Sequence, residues 1–264
     1  FSTVLLDKGD SFSSGSKRIA LIEVNGPITS ARDIVKQIIK YREDDSVPAI
    51  VLRVDSPGGV VAPTQEIFDE LRKTRDAGKI IVASMGSVAS SGGYYIACAA
   101  DSIMANPGTL TGSIGVIFEL PNAAGLMEKL GIQWEVVKSG RHKDIGSPAR
   151  SMTDEEVQLM QAVVDDVYNQ FVDVVAQNQP LSRTQVIELA DGRIYTGHQA
   201  QPLQLVDRLG TYEDAIAMAA RMAGITEKPN IIQERAKTFI ELLVENLDSR
   251  AGVRSSGIVE YRYR

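Results

Sequence analysis

Three short apolar runs, RIALIEV at 18–24, AIVLRV at 49–54 and KIIVAS at 79–84, alternate with helical patterns at about 30–43 and 63–77. A strand that is apolar along its whole length has to be covered on both faces. Strands of this kind, separated by helices, pair in parallel through crossover connections. The fold class is therefore α/β. Residues 102–118 read as short strands joined by turns at Asn106-Pro107-Gly108 and Thr111-Gly112-Ser113, and QWEVVK at 133–138 reads as a further strand. The texture then changes. Thr153 with Glu156 makes a capping box, and Val157, Met160, Val163, Val164, Val167, Phe171 and Val174 repeat at helical spacing, which predicts a long amphipathic helix over 153–176. Ser182 with Gln185 caps another helix, and Glu213–Met222 predicts a third.

The expected organisation is a flexible segment over 1–17, one α/β domain over 18–248 whose 152–248 part is mainly helical, and an irregular tail over 249–264. Packing on the same domain is the ordinary role of the amphipathic helices in 152–248.

Charge and composition narrow the partners. With 28 Lys plus Arg against 34 Asp plus Glu the net charge is -6, and no basic stripe tracks a phosphate backbone, so nucleic acid is not an expected partner. No run of about 18 apolar residues occurs, so the chain as given has no membrane span. It begins with Phe1, and the expectation is a processed or trimmed form, in which removal of an N-terminal signal or anchor would leave no trace. Cys98, the single cysteine, lies in an Ala-rich apolar run and is expected as a buried structural thiol. No His, Cys or carboxylate cluster has metal-ligand spacing, and neither a metal nor an organic cofactor is expected.

Thirteen of the 22 glycines fall between Gly58 and Gly146, so unusual backbone geometry is concentrated mid-chain. Two stretches there each follow an apolar strand and precede a helical segment: DSPGG at 55–59 and ASSGGYY at 89–95. The first leaves backbone N–H groups uncovered by side chains, as an oxyanion hole needs; its ordinary reading is a tight turn. The second sets a serine where the first N–H groups of a helix favour developing negative charge; its ordinary reading is an N-cap. A nucleophile and an oxyanion donor are complementary parts, but these residues alone leave Ser90 and Ser91 both open. A base is also required. The candidates are His198 in YTGHQAQ and, side by side in KSGRHKDIGSP, His142 and Lys143.

VDSPGGVV at 54–61, SMGSVASSGGYYIACAAD at 84–101, ANPGTLTGSIGVI at 105–117, SGRHKDIGSP at 139–148 and DGRIYTGHQA at 191–200 occur in one order. This set resembles signal peptide peptidase A in its short, single-repeat bacterial form, over about residues 18–222. The resemblance implies the Clp protease/crotonase fold, a stacked β-β-α spiral, with 18–248 as a peptidase domain. It implies Ser91 as nucleophile, Lys143 as general base and Ser113 as the hydroxyl that orients the lysine. The N–H of Gly58 or Gly59, with that of Ser91, would bind the oxyanion, and Gly92 and Gly93 would leave room for substrate backbone. Ser90 departs from the alanine that many relatives carry and is assigned to packing.

The implied chemistry is peptide hydrolysis through an acyl-enzyme on remnant signal peptides or similar hydrophobic peptides. The implied assembly is a homo-oligomeric ring whose active sites are shared between subunits, with the helices of 152–248 as candidates for the contact, membrane association through an N-terminal anchor absent from this chain and the catalytic domain outside the cytoplasm. Arg141 and His142 would favour a neutral lysine by like-charge repulsion, and Asp144 would oppose that if it pointed at the amine. Two rival readings share the fold: a crotonase-like acyl-CoA enzyme, which would use the paired amides for an enolate, and a catalytically inactive assembly protein.

Overall fold

The computed structural model describes residues 17–234. The lead-in up to residue 16 and everything from residue 235, including the expected tail at 249–264, lie outside the described residues. Residues up to Ile232 belong to one compact unit; a second begins at Gln233, and of it only Gln233 and Glu234 are described.

β1 (Arg18–Asn25), β2 (Ala49–Ser56) and β3 (Ile80–Ser90) form a parallel core joined by α1 (Arg32–Glu43) and α2 (Val61–Asp76). Ile22 stands opposite Leu52, and Leu52 opposite Ala83. Alternate residues go to opposite cores. Ala20, Ile22, Ile50 and Leu52 pack with Ile67 and Leu71 of α2, whereas Ile19, Leu21, Ala49 and Val51 pack with Ala215, Ile216 and Ala219 of α8 (Tyr212–Met222). Burial on both faces is why these strands are almost unbroken apolar runs.

β3 runs further than its apolar pattern and changes partners along its length. Val82–Ser84 pairs with β4 (Ser102–Ala105), and Val88–Ser90 pairs with β5 (Leu110–Gly112). Between the halves its register with β2 jumps from Val54↔Met85 to Ser56↔Ala89. Asp55 secures this irregularity: its Oδ1 accepts the Val88 N–H at 3.0 Å, and a Cβ on Gly86 would come within 2.7 Å of its Cγ. A bulge of this kind re-aims the strand that follows it, and here the re-aimed end leads into α3 (Gly92–Ala97).

The remaining elements are α4 (Ala124–Lys129), α5 (Asp154–Asn178), α6 (Arg183–Leu189), β6 (Ile194–Thr196), α7 (Gly197–Ala200), β7 (Arg208–Leu209) and β8 (Asn230–Gln233). The strand path is β6-β5-β3-β2-β1-β8, with β4 joining β3 to β7; β1 with β2, β2 with β3, β3 with β4 and β5, and β4 with β7 pair in parallel, and β5 with β6 is antiparallel. The capping boxes at Thr153/Glu156 and Ser182/Gln185 are present. α5 buries Phe171, Val172 and Val175 but leaves Val157, Leu159 and Val163 exposed.

The short strands β6, β7 and β8 were not expected from the sequence, and the expected strand at 133–138 does not form. Trp134, Val136 and Val137 are exposed there, and no strand of the described residues pairs with them. Residues 113–153 hold only one helix, α4.

Leu52 is fully buried in the central strand. Leu52→Ala is expected to lower unfolding free energy by about 3 kcal/mol in denaturant titration, whereas Leu52→Met, which keeps the volume, costs less than about 1.5 kcal/mol.

Candidate active site

The chain turns sharply where β3 ends. Ser91 has φ 52° and ψ -122°, a conformation that L-residues rarely adopt and that persists only when its surroundings enforce it. Two backbone hydrogen bonds do so: the Ser91 N–H donates to Gly112 O at 2.8 Å, and the Tyr95 N–H donates to Ser91 O at 2.9 Å. Behind the turn, the SPGG and SGG segments pack backbone to backbone. A Cβ on Gly58, whose φ is +96°, would lie 2.5 Å from Gly92 N; one on Gly93 would lie 2.6 Å from Ser56 O. A Cβ on Gly59 would overlap the Ile28 backbone. Among the described residues the Ser91 hydroxyl has no hydrogen-bond partner, so it stands free at the mouth of a cleft.

Of the amides expected to bind an oxyanion, those of Ser91 and Gly58 are engaged among the described residues and that of Gly59 is not. The Ser91 N–H is taken by Gly112 O, and the Gly58 N–H donates to Ser56 Oγ at 3.1 Å, so neither is free. Gly59 bridges Ile28 through its neighbours: the Ile28 N–H donates to Gly58 O and the Val60 N–H donates to Ile28 O, which turns the Gly59 N–H away from that ladder. Gly92 opens α3, and the first N–H of a helix has no intrahelical acceptor. Neither Gly59 N–H nor Gly92 N–H has a partner among the described residues, and a Cβ on Gly92 would be 3.2 Å from Gly59 N. Two unpartnered donors therefore sit close together beside Ser91. Gly92 belongs to this pair, a role that its place at the helix start could have signalled. Gly93 does not border the cleft; it is a packing glycine on β2.

Two hollows meet at Ser91. A pocket of about 40 Å³ lies between Val61, Thr64, Tyr95, Val116, Val167 and Phe171. Tyr95 is fixed there edge-on between Phe68 and Phe171, each 5.1 Å away between ring centres, and its partial burial raises the phenol pKa. From sequence alone none of these residues has a place in a pocket, because they come together from three helices and a loop. A larger cleft of about 570 Å³ is bordered by Ser91, Ser113, Gly115, Tyr168 and Asp191. Ser113 has φ 50°, and its N–H donates to Arg193 O at 2.8 Å. Ser91, Ser113 and Gln204 are the non-glycine residues with positive φ among those described, and the first two share this cleft.

Lys143 is not brought to this place. Its side chain is exposed, has no hydrogen bond or ion pair with the described residues, and borders neither hollow at Ser91. His142 beside it has Nε2 3.7 Å from Glu155 Oε1 and a buried Nδ1 without a partner, and His198 lies exposed in α7. Ser90 is buried in β3 with Oγ 3.5 Å from Pro57 O, a packing position. Cys98 is a buried free thiol whose pKa burial pushes up to about 12.

The solved structures that the chain resembles give its class. It aligns with a ClpP1 mutant from Listeria monocytogenes at TM-score 0.51 and 15% identity, over 74% of this chain and 94% of that one. A mutant of a membrane-bound stomatin-specific protease aligns at TM-score 0.55 and 14% identity, over 84% and 99%. The fold is thus that of the Clp protease/crotonase class, and a Clp protease profile matches residues 14–111. Sequence carries the assignment further. The chain belongs to peptidase family S49, whose profile matches residues 73–226, and it is a serine peptidase. A Synechocystis sp. protein provisionally named a protease is 49% identical over 213 residues, 80% of this chain and 76% of that protein. An Enterococcus faecium protein provisionally named signal peptide peptidase SppA is 37% identical over 81% of this chain and 66% of its own length. Protease 4 of Salmonella typhi is 34% identical over 87% of this chain, but the match spans only 38% of that protein.

Because a Cβ at residue 58 would press on Gly92 N, Gly58→Ala is expected to displace the Gly92 amide. A misplacement near 1 Å costs on the order of a hundredfold in rate, so kcat/KM should fall by about that factor while circular dichroism still shows a folded protein. Unchanged kinetics would remove the packed glycines from the site.

Proposed function

We propose that this serine peptidase is an endopeptidase that uses a Ser91–Lys143 dyad to cleave remnant signal peptides or similar hydrophobic peptides. The observation that carries the proposal is the free Ser91 hydroxyl at a strained turn, beside the unpartnered N–H groups of Gly59 and Gly92 and above a small apolar pocket. In the reaction, neutral Lys143 Nζ takes the proton of Ser91 Oγ as the oxygen attacks the scissile carbonyl carbon. The Gly59 and Gly92 N–H groups receive the oxyanion. Collapse of the tetrahedral intermediate expels the amine, which leaves with the proton from the lysine. Water, giving a proton to the now neutral Lys143 Nζ, then attacks the acyl carbon, and the lysine returns that proton to Ser91 Oγ as the acid product leaves. Ser113, on the rim of the same cleft, orients the lysine.

The lysine comes from a neighbouring copy. Support for this part is the exposed position of Lys143 on a segment that also exposes Ile117, Phe118, Leu126, Leu130 and Trp134, with Trp134 60% accessible. Large apolar side chains exposed together on one segment suit association, and a heterologous contact that closes into a ring repeats the same donation at every site. The narrow pocket suits a small apolar side chain next to the scissile bond. Among the described residues no helix is long and apolar enough to cross a membrane, and membrane attachment would fall to an N-terminal anchor.

Ser91→Ala and Lys143→Ala should each reduce cleavage of an apolar fluorogenic peptide to background. Co-expressed in equal amounts, the two inactive chains should regain roughly a quarter of wild-type turnover, because random neighbours reunite an intact serine with an intact lysine in that share of sites. Cleavage surviving in Ser91→Ala would remove the nucleophile. A co-assembled mixture that stays inactive would confine the dyad to one chain.

A further inference from the structure

The segment bearing Lys143 is held to α5 by an ionic cluster that the dyad itself does not use. Arg150 forms its centre. Its Nε and Nη2 donate to Asp144 Oδ2 and Oδ1 at 3.0 and 2.9 Å, and its Nη1 and Nη2 donate to Glu156 Oε2 and Oε1 at 2.7 and 2.6 Å. Lys138 Nζ adds a bond to Asp144 Oδ1 at 2.5 Å. Glu156 is also the far half of the α5 capping box, through the Thr153 N–H at 2.9 Å. One guanidinium thus ties the residue next to Lys143 to the first turn of a 25-residue helix. The Asp144 side chain is only 11% accessible, and its charge is met by two cations.

We propose that Arg150 is a positioning residue for the general base: its fork fixes the Lys143 loop on α5 and withholds the Asp144 carboxylate from the Lys143 amine. The charges around the loop define the consequence. On the loop and its flanks are Lys138, Arg141, His142, Asp144 and Arg150; on α5 are Glu155 and Glu156; on α4, Glu128 shares a hollow with Ala149. Arg141 pairs with Glu155, and His142 Nε2 faces the same carboxylate. With Arg150 in place, both Asp144 and Glu156 are compensated. The Arg150 and Lys138 bonds hold the Asp144 carboxyl well below its ordinary range, and those of Arg150 and Thr153 take Glu156 down to about 2. Without Arg150, Asp144 is left undercompensated one residue from the amine and favours its protonated form; without Asp144, the uncompensated Arg150 and Lys138 favour the neutral form. The two losses act in opposite directions, which general damage to the loop cannot imitate.

The inference rests on Lys143 being the base, and the test separates the two. Full-chain wild type, Arg150→Gln, Asp144→Asn, the double variant, Arg150→Lys and Lys143→Ala are compared by kcat/KM against pH on one fluorogenic apolar peptide, with assembly size measured for each. Arg150→Gln should move the midpoint of the acidic limb to higher pH by about half a unit or more and lower kcat; Asp144→Asn should move it to lower pH. The double variant should return towards the wild-type midpoint. Arg150→Lys keeps the charge but loses the fork that holds two carboxylates, so its midpoint should stay while kcat falls. Turnover persisting in Lys143→Ala overturns the base assignment and this inference with it. An inactive Lys143→Ala with unmoved midpoints in Arg150→Gln and Asp144→Asn overturns the role of Arg150 alone. Should Arg150→Gln not fold, Asp144→Asn and Arg150→Lys decide: a downward shift in the first with lower kcat in the second supports the role, and any other pair of results refutes it.

Discussion

The end of this sheet that borders the cleft depends on one close approach, the backbone of Gly58 against that of Gly92. At this distance neither residue has room for a side chain, and the ends of β2 and β3 converge until their following turns share one surface. That convergence places the Gly59 and Gly92 amides together. Each is unpartnered for a different local reason: Gly92 because it opens a helix, Gly59 because its neighbours make the bridge to Ile28. Donors fixed by backbone packing need no reorganisation when negative charge develops, and this is where an oxyanion hole gains over water.

The approach in turn requires the irregularity in β3. A strand in unbroken register with β2 would continue straight past Ser56. The jump between Met85 and Ala89, secured by Asp55, swings the second half of β3 from β4 to β5. β5 then supplies Gly112 O, which takes the Ser91 N–H and holds the serine in its left-handed turn. The strain at Ser91 is thus imposed from three strands at once, and its result is a hydroxyl facing outward over the cleft. The bond that enforces the turn also engages the Ser91 amide, which is why the proposal gives the oxyanion to the Gly59 and Gly92 amides.

The fold was legible wherever local pattern and burial agree. β1, β2 and β3 could be read because both faces are buried, and α5 and α6 because their capping boxes satisfy their first amides locally. β6 and β7 were missed because strands of three and two residues carry no period of their own; their pairing is decided by β5 and β4. QWEVVK misled for the opposite reason. Its alternation is real, but alternation specifies a strand only when a neighbouring strand accepts its hydrogen bonds, and within the described residues none does. In the site, glycine spacing revealed where backbone had to come close, yet it could not say which amides would be left over, since that depends on Gly112 and Ser56 as acceptors.

The segment between Ser113 and Thr153 is where sequence reading is weakest and where the chain differs most from an ordinary domain. Beyond the buried Ile114, its large apolar side chains from Ile117 to Val137 are mostly exposed, so a hydrophobic core of its own does not fix its position. What ties its far end to the rest of the chain is charge: Arg150 gripping Asp144 and Glu156 at the start of α5. The pH range of this tie follows from its carboxylates. Both are lowered in the folded chain, so the stabilisation is fully present above their ordinary values, 3.8 for Asp144 and 4.5 for Glu156, and is lost as pH falls towards 2. An amine serves as a base only far above that range. The attachment of the loop is therefore complete at every pH where a lysine on it could take a proton from serine, and an ionic clamp holds that loop without limiting the chemistry proposed for it.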